Sequence, residues 1–212
     1  MKDSVSASAN GKGEKELFVL PFSKTYWKLS FSELKSLKML IIAAIFIALR
    51  IAIKAVKIPV GDNLNVFFTF GVNALGSYIY GPVVGFLSGA VCDVLSWLIA
   101  PSGPFNPAFT LVEALGSFIF ALVLYRTKVS VLRLFLSKFF VSLICNVLLT
   151  PIFLSMMYGK GVLVYLVPRI TKNLILLPIE TAILVLVFTA MLPVLKRAKV
   201  ITWIHDKMLD VL

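Results

Sequence analysis

The segment KIPVGDNLNVFFTFGVNALGSYIYGPVVGFLSGAVCDVLSWLIAPSGPFNPAFTLVEALGSFIFALVLYR, residues 57–126, has no lysine or arginine between its first residue and its last, and its only acids are Asp62, Asp93 and Glu113. Soluble domains carry about one charged residue in four. A helix that crosses the hydrocarbon of a bilayer needs about 20 mostly apolar residues. Turn-formers punctuate the segment at IPVGDN (58–63), YGP (80–82) and APSGPFNP (100–107). They divide it into predicted spans at 64–79, 82–100 and 107–125, the first of them short.

The same pattern continues on both sides. An apolar run covers 37–56 before the segment, and two more cover 133–157 and 165–192 after it, separated by GKG at 159–161. The expected fold is therefore an all-α integral membrane protein with six transmembrane helices. Composition agrees: of 212 residues, 59% are hydrophobic and 15% charged, with a mean hydropathy of +0.97. Residues 1–24 are polar and small and are expected to form a disordered cytoplasmic tail. Residues 25–36 mix Tyr26, Trp27 and Phe31 with lysines and suit an amphipathic helix at the headgroup level. The membrane domain is expected over 37–192 and a cytoplasmic C-terminal tail over 193–212. The first apolar run, beginning near Leu37, is expected to serve as its own insertion signal.

The net charge of +11 lies between the apolar runs rather than in polar patches, so it reads as topology and not as a nucleic-acid footprint. Lys28, Lys35 and Lys38, then Arg126, Lys128 and Arg133, then Lys196, Arg197 and Lys199 fall on one side. Both termini are thus expected in the cytoplasm of a multi-pass protein of the cell membrane. Cys92 and Cys145 lie within apolar runs and read as packing residues. The only histidine, His205, is in the C-terminal tail, which removes most zinc sites and most Ser–His or Cys–His mechanisms, and no metal site is expected. No GxxxxGK[ST] is present, so uphill movement of a solute must be energised by a partner or an ion gradient.

Ionisable groups inside spans are expensive and mark function. Arg50, Asp93, Glu113, Arg169 and Lys172 come from four spans and fall at similar depth, toward the exterior. Arg169, Lys172, Asn173 and Glu180 share one face of the last span; Asn106, Thr110, Glu113 and Ser117 share one face of the fourth. A polar cavity open to the exterior is expected. The competing reading is structural ion pairs, with basic residues snorkelling to headgroups. The proline-rich loop at 100–109 either caps that cavity, offering Phe105 and Phe109, or simply connects two spans. Ala44, Ala48 and Ala52 form a small-residue stripe on the first span, where another helix can approach closely.

These motifs carry a resemblance. Ala44, Ala48 and Arg50 on the first span are followed by P-x-G at 59–61. Then come YGPxxGxxxGxxxD at 80–93 and P-x-GPF-x-P-x-FT at 101–110. Over residues 37–192 the chain resembles the substrate-binding S components of energy-coupling factor vitamin transporters, and within them the folate-specific group. It departs from that group at Ala108, where folate relatives usually carry glycine. The resemblance implies a six-helix protein, without cofactor, that binds its vitamin from outside. It implies docking, through Ala44 and Ala48, on a module of one transmembrane coupling subunit and two ATPases. In that family the bound vitamin is thought to be delivered inward by toppling of the S component in the bilayer.

Folate combines a flat pterin, an aromatic linker and two carboxylates. Cations for the carboxylates are available in Arg50, Arg169 and Lys172; hydrogen-bonding groups for the pterin in Asp93, Asn106 and Asn173; aromatic walls in Phe68, Trp97, Phe105 and Phe109. Other readings remain: an S component for a different vitamin or precursor, such as riboflavin, pantothenate or a queuosine precursor; a membrane-embedded enzyme using Asp93 and Glu113; or an ion-coupled carrier acting alone.

Overall fold

The structure, a computed structural model, describes residues 23–54, 57–61, 64–101, 103–198 and 200. The expected N-terminal tail, apart from Ser23 and Lys24, the end of the C-terminal tail and His205 lie outside these residues. Helix α1 is Lys24–Leu34 and α2 is Leu37–Lys54. Strands β1 (Lys57–Gly61) and β2 (Leu64–Phe67) pair antiparallel, with Lys57 opposite Phe67. Then come α3 (Thr69–Ile99), α4 (Pro107–Leu124), α5 (Val131–Tyr158) and α6 (Val162–Arg197).

Among the described residues four helices, α3 to α6, are long and apolar enough to cross a membrane. A fifth span is available if α1 and α2, bent by 77° at their junction, count as one broken element. The chain is thus an all-α multi-pass membrane protein. The bulky side chains left exposed, among them Leu98, Leu163, Leu174 and Leu186, are what a lipid-facing surface needs.

Two boundaries differ from expectation. Residues 64–67 form a strand rather than the start of a span. LNVF carries the β-prone pair Val66 and Phe67, and it finds a partner strand in Lys57–Gly61. The expected division at YGP falls inside α3, with no loop. Gly81 adopts φ 77°, ψ −177°, and Pro82 follows it. The two arms fold against each other: the Ser88 hydroxyl donates to Tyr80 Oη at 3.2 Å, although eight residues along a straight helix span about 12 Å. At the other end, α6 runs to Arg197, past the expected limit at 192.

Glycine makes α3 and α4 approach closely. A Cβ at Gly89 would lie 2.7 Å from the Glu113 carbonyl oxygen and 2.8 Å from Ala114 Cα. Helix α1 closes the end of this pair at Val83 and Ala121. Tyr26 donates to the Ala121 carbonyl at 3.2 Å, and the Val83 amide, orphaned just past Pro82, donates to Ser30 Oγ at 3.1 Å. Glu33 sits 3.5 Å from the Arg126 guanidinium and accepts from Tyr125 Oη at 3.1 Å.

Candidate functional site

One end of the bundle gathers the β1–β2 hairpin, the 100–106 connection and the turn at Gly159–Gly161. Beneath it lies a cavity of about 420 Å³ lined from α2 to α6. Five of the expected site residues meet there: Arg50, Asp93, Arg169, Lys172 and Asn173. An adjoining cavity of about 290 Å³ collects Trp97, Phe105, Asn106 and Phe109; Lys54, Asp93 and Ser96 line both. Phe68, half-buried just before α3, lines neither.

Local sequence explains how each element presents its groups. Helix α4 starts on Asn106, whose side chain caps the Ala108 amide at 3.0 Å, with Pro107 in the first turn. Asn106 Oδ1 is therefore engaged in holding the helix start. The α4 face that follows turns Thr110, Glu113 and Ser117 inward. Thr110 donates to Asp93 Oδ2 at 2.7 Å, which ties α4 to α3. Trp97 Nε1 donates to the Gly103 carbonyl at 2.8 Å, and its ring lies 5.2 Å from that of Phe105. The connection at 100–106 is thereby folded over the aromatic pair.

Helix α5 widens to a π-helix over Ser142–Leu149, just before Pro151. Cys145 and Asn146, from this irregular stretch, face the cavity. Such wide turns recur at functional sites because they re-aim side chains. Asn146 Nδ2 donates to Asn173 Oδ1 at 3.3 Å, and Asn173 Nδ2 to the Arg169 carbonyl at 2.9 Å. Cys92 and Cys145 are both free and buried.

The charges are partly spoken for. Arg50, 2% exposed, is ion-paired with Glu113, whose side chain remains 43% exposed toward the cavity. Arg50 also reaches Ser117 Oγ at 3.5 Å, and Ser117 donates to Asn73 Oδ1 at 2.8 Å. Its Nε is buried with no hydrogen-bond partner among the described residues. Deeper still, Lys138 Nζ lies 2.9 Å from Glu180 Oε2 and 4.5 Å from the centre of the Phe70 ring. Lys54, Arg169 and Lys172 have no ion pair among the described residues.

Lys54, Asn73, Glu113, Lys138, Asn146 and Glu180 also line the cavity but were not among the expected ligand contacts. For Lys138 a signal was present: it stands seven residues inside its helix, in the apolar run LFLSKFFV. Ala44 and Ala48 are exposed on α2. At 100° per residue they face away from Met39, Ala43 and Arg50, which form the buried side.

Comparison with known proteins agrees with this arrangement. Residues 38–188 match the family described as "ECF transporter, substrate-specific component". The chain is 30% identical over 154 residues to the folate transporter FolT of Clostridium novyi, covering 71% of this chain and 88% of the relative. It is 32% identical over 150 residues to FolT of Leuconostoc mesenteroides, covering 68% and 80%. A crystal structure of FolT bound with folic acid superposes with a TM-score of 0.61 at 29% identity, over 69% of this chain and 88% of that one. A multi-pass chain with a polar cavity enclosed by its helices, matched over most of its length by that profile, belongs to the family of substrate-specific components of ECF transporters.

Proposed function

We propose that this chain captures folate from the exterior and releases it to the cytoplasm by reorienting in the membrane. As a substrate-specific component it is a transport subunit and not an enzyme. The energy comes from ATP hydrolysis in a partner module of one transmembrane coupling subunit and two ATPases. In this reading α3 counts as two spans folded at Gly81, and α2 as another, which makes six. Both termini then lie in the cytoplasm, and the cavity opens outward. The membrane domain is 37–192, preceded by an interfacial helix over 25–36. Ala44 and Ala48, exposed on α2, dock the coupling subunit through the close approach that small residues allow.

The observation that carries the ligand is the cavity's chemistry. It offers three cations without an ion pair among the described residues, and it adjoins the Trp97–Phe105 aromatic pair. That set suits a ligand with acidic groups and a flat ring system. Relatives named as folate transporters point to the same vitamin. Arg50, Asp93, Asn173, Arg169 and Lys172 surround the ligand, and Trp97, Phe105, Asn106 and Phe109 close over it from the loop side, while Phe68 stands outside both cavities.

The test is binding of radiolabelled folate to the purified chain, with a competition panel of vitamins. Displacement by unlabelled folate, and not by riboflavin, pantothenate or a queuosine precursor, is the expected result. Displacement by one of those instead reassigns the ligand, and no binding of labelled folate to folded protein rejects the proposal.

A further inference from the structure

We propose that the outer face of α1 binds anionic phospholipid headgroups in the leaflet beside it. This deepens the interfacial placement of α1 and rests on it, but not on the identity of the transported ligand. The two faces of α1 are sharply divided. At 100° per residue, Tyr26, Ser30 and Glu33 fall on one side, and all three are buried. Lys24, Lys28, Phe31 and the C-cap residue Lys35 fall on the opposite side, and all four are exposed, Phe31 by 57%.

The buried side is fixed at three points along the helix. Tyr26 holds the Ala121 carbonyl, Ser30 holds the Val83 amide, and Glu33 meets Tyr125 and Arg126. These bonds set the rotation of α1 about its own axis and keep the lysines turned away from the bundle. The Trp27 ring also stacks on Phe118 at 6.0 Å, and Phe118 precedes the end of α4 at Leu124 by about 9 Å. Helix α1 therefore lies against the flank of the α3–α4 pair near its end, and its outer face looks into the surrounding lipid. The 77° bend to α2 brings α1 close to the membrane plane when α2 crosses the bilayer.

Charge complementarity names the occupant. Glu33 is the one acid of α1, and it is engaged with Arg126 on the buried side. Among the described residues the other acids, Asp93, Glu113 and Glu180, all line the cavity. Lys24, Lys28 and Lys35 form no ion pair among the described residues. Helix α6 runs away from the cavity mouth and ends on two more exposed cations, Lys196 and Arg197. Phe31, between Lys28 and Lys35, supplies the apolar anchor that enters the headgroup–acyl boundary, while the lysine stems carry their ammonium groups to the phosphates. A zwitterionic lipid accommodates the ring equally well, but a lipid with net negative charge also answers the three lysines.

The experiment attaches a bimane fluorophore to the purified full-length chain through Ser32→Cys and places it in phosphatidylcholine nanodiscs. Ser32 is exposed on α1, whereas Cys92 and Cys145 are buried, so the label goes to the introduced thiol. Phosphatidylglycerol carrying a doxyl quencher is expected to quench at least about threefold more strongly than equally labelled phosphatidylcholine, because the lysines concentrate the anionic lipid. Equal quenching by the two lipids overturns the inference and leaves α1 at the interface. No quenching by either shows α1 away from the bilayer, leaves its lysines to an acidic protein surface, and overturns the interfacial placement as well. The triple variant Lys24→Gln, Lys28→Gln, Lys35→Gln, with the same label, is expected to lose the preference for phosphatidylglycerol. A preference that survives in it belongs to other cations and overturns the role given to α1. Should that variant not fold, the comparison of the two lipids on the parent chain decides alone.

Discussion

Lys138 and Glu180 form an ion pair of 2.9 Å that joins α5 to α6 at the cavity floor, with both side chains almost wholly buried. The ammonium also lies against the face of Phe70, from α3. Three helices therefore meet at one charge. Removing one partner strands the other: Glu180→Gln is expected to destabilise the protein by about 3–5 kcal/mol, whereas Lys138→Met with Glu180→Leu recovers much of that loss. Unfolding in detergent, followed for both variants, checks this. Equal destabilisation by the single and the double change shows that the pair itself does not matter.

Arg50 and Glu113 make a second pair, and their exposures differ greatly. Arg50→Lys keeps the charge but loses the planar fork that spans Glu113 and Ser117. Folate affinity is expected to fall by about tenfold or more, as for a broken charge-assisted hydrogen bond. Equilibrium binding by the variant and wild type measures it, and an unchanged affinity removes Arg50 from the site.

Gly89 and Gly85 lie one turn apart on α3, yet their environments differ. A Cβ at Gly89 meets backbone of α4 at 2.7–2.8 Å, whereas one at Gly85 meets its nearest atom at 3.5 Å. Gly89→Ala is expected to cost about 1–3 kcal/mol by forcing the helices apart, and Gly85→Ala much less. Melting temperatures of the two variants, compared side by side, carry the test; a Gly85 variant as unstable as the Gly89 one contradicts the packing described.

Trp97 does two things at once. Its indole N–H holds the Gly103 carbonyl, and its ring packs on Phe105. Trp97→Phe keeps a ring but frees the 100–106 connection, and is expected to weaken folate by about 1 kcal/mol, roughly fivefold. Trp97→Ala removes the wall as well and is expected to cost more. Titration of both variants with folate gives the ordering, and equal affinities for the two leave the ring without a role.

Ala44 and Ala48 are exposed, so bulk there is cheap for the folded chain alone. Ala44→Trp and Ala48→Trp are expected to leave folate binding within about twofold and to abolish uptake in cells that supply the ATPase module. Normal uptake by both variants places the docking surface elsewhere.

Much was legible along the chain because bilayer thickness sets a length that composition must satisfy. The runs at 37–56, 107–125, 133–157 and 165–192 each correspond to a helix within a few residues. The YGP break was legible as well, since Gly81 needs a positive φ that other residues avoid. The strand at 64–67 was not anticipated, because a short apolar run before a helix reads equally as its first turn. The role of Asn106 as a helix cap was likewise hidden behind its chemistry as a hydrogen-bonding group.

The sequence by itself determined the solvent this protein lives in, where its helices run, and that Arg50, Asp93, Arg169, Lys172 and Asn173 belong together. Tertiary structure alone decided which charges cancel. Arg50 finds Glu113 63 residues away, and Lys138 finds Glu180 on the next helix. Helical periodicity tells which face a side chain occupies, but not which facing helix answers it or at what depth. That pairing separates the matched cations Arg50 and Lys138 from Lys54, Arg169 and Lys172, which form no ion pair among the described residues.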